Sequence, residues 1–186
     1  MSALFSVDLM NQLAVALEGA GFSPEDVARL RAFPNLQGIK SVILAHAQIV
    51  PVEHLIDCSV DPHEPKGLSV HEHKRFGMLK WDPAQVTLYL SQGQRHGKRI
   101  KGTELQRELQ GKLVMNANVL DSLLAHPEFI PESWKGKAVF FWGTIYRGLG
   151  DDLCVRCLCW SGSGWYSHHG WLGRGWGDLG PAALLA

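Results

Sequence analysis

"KAVFFWGTIYRGLGDDLCVRCLCWSGSGWYSHHGWL", residues 137–172, decides the fold. Residues 137–146 are almost continuously apolar and are bounded by charged and Gly-rich segments. That pattern predicts a strand buried on both faces, and therefore one central in its sheet. The turn "RGLGDD" follows, and "LCVRCLCW" and "WYSHHGWL" predict two further strands around the loop "SGSG". If Ser161–Gly164 is a four-residue loop, Trp160 faces Trp165, Leu158 faces Ser167, Arg156 faces His169 and Cys154 faces Trp171. Side chains on a strand alternate, so the hairpin acquires two chemically different faces. One carries Trp160, Trp165, Trp171, Arg156 and His169. The other carries Val155, Cys157, Cys159, Tyr166, His168 and Leu172.

Working outward, "GTELQREL" (102–109) predicts a short helix with Thr103 as its cap. "NANVLDSLLAHP" (116–127) predicts another, ended by Pro127, and "IPESW" a further helical turn. "VTLYL" (86–90) is short and β-prone, and "GKRIKG" reads as a strand or hairpin edge. Residues 50–83 are punctuated by prolines, with "DCSVDPHEPKG" as a loop. Before residue 50 the pattern is helical. "VDLMNQLAVALEGAG" aligns Leu9, Leu13, Ala16 and Leu17, with Gly19 and Gly21 as stops. "SPEDVARLRAF" opens with Ser23 as cap, Pro24 at the first helical position, and Glu25 and Asp26 at the positive end of the helix dipole; Pro34 ends it. "LQGIKSVILAHAQ" predicts a third helix.

The expectation is an α+β fold. A helical segment, 1–49, precedes an α+β domain, 50–186, that ends in the Trp-rich antiparallel hairpin. Its antiparallel sheet has Val139–Tyr146 at its centre, with Phe141 and Ile145 beneath the helix 116–126.

The 186 residues suit one domain with a small helical appendage. Lys+Arg and Asp+Glu are both 18, so no field of the whole molecule steers it to nucleic acid or an anionic membrane, and self-association is easier. No apolar run approaches the roughly 20 residues that span a bilayer. The start lacks a basic n-region, so a secretory signal is not expected. Four cysteines without such a signal point to reduced thiols in a cytoplasm.

"CVRC" matches C-x-x-C in letters, but alternation sends Cys154 and Cys157 to opposite faces. Cys157 and Cys159 share a face about 6.8 Å apart along a regular strand. Zinc, with Zn–S near 2.3 Å, wants sulfurs about 4 Å apart. The cysteines are therefore expected as small buried hydrophobes, with no metal and no cofactor.

The hairpin face that combines Trp160, Trp165 and Trp171 with Arg156 and His169 is the strongest candidate site. Aromatic, Arg and His side chains stack on sugar rings, bases or a partner's aromatic groups. Two other constellations stand beside it. His63, His71 and His73, in "HEPKGLSVHEH", are the material for a metal-dependent or hydrolytic enzyme, although H-x-H alone carries little specificity. Arg95, Lys98, Arg99 and Lys101, in "QGQRHGKRIKG", form the one concentrated basic run and could contact phosphate. The chain has no Gly-rich phosphate loop and no nucleophile elbow.

Two long strings carry a resemblance: "IDCSVDPHEPKGLSVHEHKRFGMLKWDPAQVTLYLS" (56–91) and "NANVLDSLLAHPEFIPESWKGKAVFFWGTIYR" (116–147). They resemble a family of short bacterial hypothetical proteins from metagenomic and candidate-phylum genomes. The resemblance covers roughly residues 50–186. It implies a bacterial origin and agrees with a boundary near residue 50. The family has no assigned activity, cofactor or catalytic residue, so no residue role comes with it. The expectation is a non-enzymatic binding module whose partner is a protein or a small polar or aromatic ligand.

Overall fold

The computed structural model describes residues 6–32, 36–46 and 54–186. The expected stop at Pro34 and the boundary near Val50 lie outside the described residues. In chain order come the helices α1 (Val7–Gly19), α2 (Pro24–Arg31) and α3 (Leu36–Ile43), and the strands β1 (Leu55–Asp57), β2 (Leu68–His73), β3 (Met78–Lys80), β4 (Val86–Tyr89) and β5 (Ile100–Lys101). Then follow α4 (Gly102–Glu108), α5 (Ala117–Ala125), β6 (Val139–Gly148), β7 (Leu153–Trp160), β8 (Trp165–Trp171), β9 (Gly175–Trp176) and β10 (Ala182–Leu185). The fold is α+β.

The chain divides into two units, Met1–Val52 and Glu53–Ala186. In the first, local chemistry sets the helix starts. The Ser6 hydroxyl accepts from the Leu9 N–H, and Ser23 and Asp26 form a reciprocal capping box with Pro24 inside it. Among the described residues, α1, α2 and α3 bury none of their side chains, and Leu9, Leu13, Val27 and Ile43 are exposed.

The second unit is built on a six-stranded sheet of order β4-β10-β6-β7-β8, with β2 also paired to β6. The central position expected for the run at 139–146 is where β6 lies. One edge of β6 pairs along β7, and the other pairs β10 near its start and β2 along Thr144–Gly148. The sheet is antiparallel except at β10, which runs parallel to β6 through Ala182 and Phe140.

Each helix covers one face. Val119, Leu120 and Leu123 of α5 pack with Val139, Phe141, Leu158 and Trp134. Leu105 and the adjoining Leu109 at α4 pack with Phe140, Trp142, Ile145, Val155 and Leu172. Phe141 is thus under α5 as expected, whereas Ile145 is on the opposite face under α4. The cause is a bulge. Phe140 pairs with Cys157, but the next pair is Ile145 with Val155, so β6 inserts extra residues and its alternation flips. The insertion is held from both sides, because the Gly143 N–H donates to the Met115 carbonyl and the Lys74 N–H to the Gly143 carbonyl. A Cβ at Gly143 would lie 2.9 Å from the Asn116 backbone, so glycine admits the start of α5 to the sheet.

The bulge also supplies the N-terminus of α5. The Thr144 hydroxyl accepts from the Ala117 N–H, while the Asn116 amide is used elsewhere, donating to the Cys58 and Lys74 carbonyls. At α4 the expected Thr103 cap is absent. The Gly102 and Thr103 N–H groups donate to the Arg174 and Leu172 carbonyls, so the segment after β8 satisfies this helix start.

Candidate functional site

The β7–β8 hairpin has the register read from its four-residue loop. Trp160 pairs with Trp165, Leu158 with Ser167, Arg156 with His169 and Cys154 with Trp171. The face expected to bind is interrupted at its middle. Arg156 is 5% exposed. Its Nη1 and Nη2 donate to the two Asp121 carboxylate oxygens of α5 at 3.0 and 2.6 Å, and its Nε donates to the Ser167 hydroxyl at 3.2 Å. Burial works against the guanidinium charge, but the hydrogen bonds and charge of Asp121 outweigh it, and the pKa rises above the ordinary value. A helix-borne carboxylate thus holds Arg156 away from any ligand.

The three tryptophans of that face are half-buried and serve different surroundings. Trp160 and Trp165 meet edge to face at 5.3 Å, with Lys135 Nζ 4.1 Å above the Trp160 ring. Trp171 packs instead with Tyr146 and Cys154, and its ring meets His169 edge-on at 4.9 Å. Trp160, Trp165, Trp171, Arg156 and His169 therefore do not form one open platform.

A different concavity lies where β8 ends and the chain folds back through 174–180. This cleft of about 380 Å³ is lined by Arg99, Phe140, His168, His169, Arg174 and Trp176, together with the glycine-rich backbone of 170–180. Its aromatic base is compact. The Trp176 ring lies 4.2 Å from Phe140 and 4.8 Å from Trp142, and its indole N–H donates to the Trp171 carbonyl at 3.2 Å. A Cβ at Gly170 would meet the Trp176 ring at 2.9 Å and the Phe140 ring at 3.0 Å. Glycine is what lets these rings lie against the strand.

The rim is cationic. Arg99 and Arg174 are exposed, and among the described residues neither guanidinium makes an ion pair or hydrogen bond. Asp178 is the one carboxylate in the lining. Two guanidinia against one carboxylate leave a positive excess. The His168 and His169 rings are stacked at 5.2 Å, and burial, then the neighbouring His168 charge, hold the His169 pKa below the ordinary value.

The remaining candidate residues are placed separately. His71 Nδ1 lies 2.9 Å from the Arg147 guanidinium, and His73 Nδ1 lies 2.8 Å from the Thr144 hydroxyl; the His63 carbonyl accepts from the Tyr146 hydroxyl. Among the described residues no three His, Cys, Asp or Glu side chains are placed to hold a metal ion. In the basic run, Arg95 donates to the Leu90 carbonyl, Lys98 and Lys101 are exposed, and only Arg99 reaches the cleft. Cys154 and Cys157 lie in different clusters, as alternation required. The Cys157 and Cys159 sulfurs, however, are 3.7 Å apart, because the side chains lean together across the strand repeat.

The residues missed at the sequence level are Phe140, Arg174 and Trp176. For Arg174 and Trp176 the signal is in "GWLGRGWGDLG" (170–180), where glycines are interspersed with Trp and Arg as close backbone approach to rings demands; Phe140 reads only as part of the apolar β6 run. Compared with family models, curated proteins and solved structures, the chain matches none. No helix among the described residues is long and apolar enough to cross a membrane.

Proposed function

We propose that this chain is a non-enzymatic binding module that takes a small planar organic anion, a ring bearing a phosphate or carboxylate, in the cleft beside β8. The observation that carries the reading is the conjunction of an aromatic base with two unpaired guanidinia on its rim. Pockets of about 300–1,000 Å³ with mostly apolar walls and a few placed polar groups are the usual form of small-ligand sites. Arginine recognises carboxylate and phosphate in a bidentate manner and stacks on flat rings.

The test is a titration of nucleoside monophosphates and aromatic carboxylates, followed by tryptophan fluorescence at low and raised salt. Binding should weaken with salt, and Arg99→Gln and Arg174→Gln should each weaken it by about tenfold, the scale of a lost charged hydrogen bond. Failure of every compound to bind below about 1 mM, or unchanged affinity in both variants, would refute the reading. A second reading has one observation in its favour. Arg99 belongs both to the cleft and to the exposed basic run with Lys98 and Lys101, a geometry that suits a single-stranded oligonucleotide with one base in the cleft. A short oligonucleotide binding more tightly than any monomer, and losing that advantage in Lys98→Gln/Lys101→Gln, would favour it.

A further inference from the structure

The sulfurs of Cys157 and Cys159 are unlike the chain's other thiols. They share the α4-facing side of β7, 3.7 Å apart and in hydrogen-bond contact. Cys157 is 1% exposed, whereas Cys159 is only partly buried and directly opposite Tyr166 on β8. A solute therefore reaches Cys159 and not Cys157. From this geometry we infer that Cys159 is a reactive-thiol site for soft electrophiles, hydrogen peroxide among them, with the buried Cys157 thiol as its hydrogen-bond donor.

A thiolate, not a thiol, is the nucleophile. In a pair this close, one sulfur keeps its proton and donates it, and the other carries the charge. Water reaches Cys159, so the charge resides there. The Cys157 hydrogen bond, opposed by burial and aided by the Tyr166 hydroxyl, lowers the Cys159 pKa to about 7. Cys157 is pushed up by that same hydrogen bond, then by burial and the Cys159 charge. The other titratable groups nearby are Tyr166 and His168 from β8 and Arg156 of the same strand; the β6 side offers Ala138 and Phe140. Burial holds Cys154 up at about 11 and, with the Asp57 charge, Cys58 at about 12. Both stay protonated at neutral pH.

With peroxide, the Cys159 thiolate attacks one oxygen. An S–O bond forms, the O–O bond breaks, and the leaving hydroxide takes a proton to become water. The sulfur is oxidised to a sulfenic acid and the peroxide oxygen is reduced.

The experiment is alkylation of the native protein with iodoacetamide from pH 5.5 to 9.5, read peptide by peptide by mass spectrometry. Cys159 should react with a midpoint near pH 7, while Cys58 and Cys154 stay unmodified. Cys157→Ala should move that midpoint up by about one unit or more, toward the ordinary value near 8.5, and Cys157→Ser, which keeps a donor, should move it less. Peroxide with dimedone present throughout should label Cys159 and neither Cys58 nor Cys154, any sulfenic acid that escapes the probe condensing with the Cys157 thiol to a disulfide and water. A Cys159 midpoint at or above about 8.5, labelling no faster than that of Cys58 and Cys154, or no shift in folded Cys157→Ala would overturn the inference. Should Cys157→Ala fail to fold, Cys157→Ser and the native midpoint decide: a native Cys159 midpoint at or above about 8.5 overturns the inference.

Discussion

Replacing Asp121 with alanine removes the carboxylate that both Nη groups of Arg156 contact. The two side chains are unequally buried, Arg156 at 6% exposure and Asp121 at 29%. Breaking a buried pair by deleting one partner costs about 3–5 kcal/mol, because the remaining charge is stranded. The partial exposure of Asp121 lets water approach the vacated side, which puts the expected loss near the lower limit, about 3 kcal/mol. The reverse deletion, Arg156→Met, leaves a carboxylate that water already reaches, and should cost only about 1 kcal/mol. Asp121→Leu combined with Arg156→Met should return to within about 1 kcal/mol of the parent, since apolar replacement of a buried pair is often neutral. Urea denaturation followed by tryptophan fluorescence is the assay. All seven tryptophans lie between Trp81 and Trp176, so the signal reports the second unit. The reasoning fails if Asp121→Ala costs less than about 1 kcal/mol, or no more than Arg156→Met.

Two further outcomes are expected. Phe141→Ala, at a side chain wholly buried beneath α5, should cost about 3–5 kcal/mol in the same assay, and a loss below about 1 kcal/mol would place Phe141 outside the core. Stability should also fall as pH drops below the ordinary histidine value of 6.5. Burial, then the Arg75 charge, depresses the His73 pKa in the fold, so the unfolded chain binds that proton more tightly and acid favours unfolding. Urea midpoints at pH 7.5 and 5.5 test this, and His73→Gln should reduce the difference without abolishing it, because burial also depresses His54 and His169; an unchanged difference would refute the contribution of His73.

Much of the second unit was legible because its signals are local. The apolar run of β6, the turns after it, and α5 with Pro127 behind it can each be read within about ten residues. The hairpin register follows from the length of one loop, and in the first unit the Ser23 cap with Pro24 after it from adjacent letters. Separation of Cys154 from Cys157 needed only strand alternation.

What the sequence could not determine depended on residues far apart in the chain. Ile145 changed face because Met115 and Lys74 bond to Gly143 and create the bulge, and no periodicity within β6 announces partners about thirty and seventy residues away. Arg156 read as a surface cation because its carboxylate lies on α5, and only packing of that helix on the sheet brings Asp121 to it. The cleft joins Arg99, Phe140 and Trp176, which meet when β9 pairs with β5 and closes the chain over the end of β8. The close approach of the Cys157 and Cys159 sulfurs was hidden for a different reason. Backbone repeat sets the distance between side-chain origins, but rotamers set the distance between their ends, and packing selects the rotamers. Sequence alone therefore determined the helices, the β6 run as central and the two hairpin strands, but not β1, β3, β9 or β10, which are short and held by partners far along the chain. Tertiary structure decided which face each side chain serves, because a face is defined only by what docks on it.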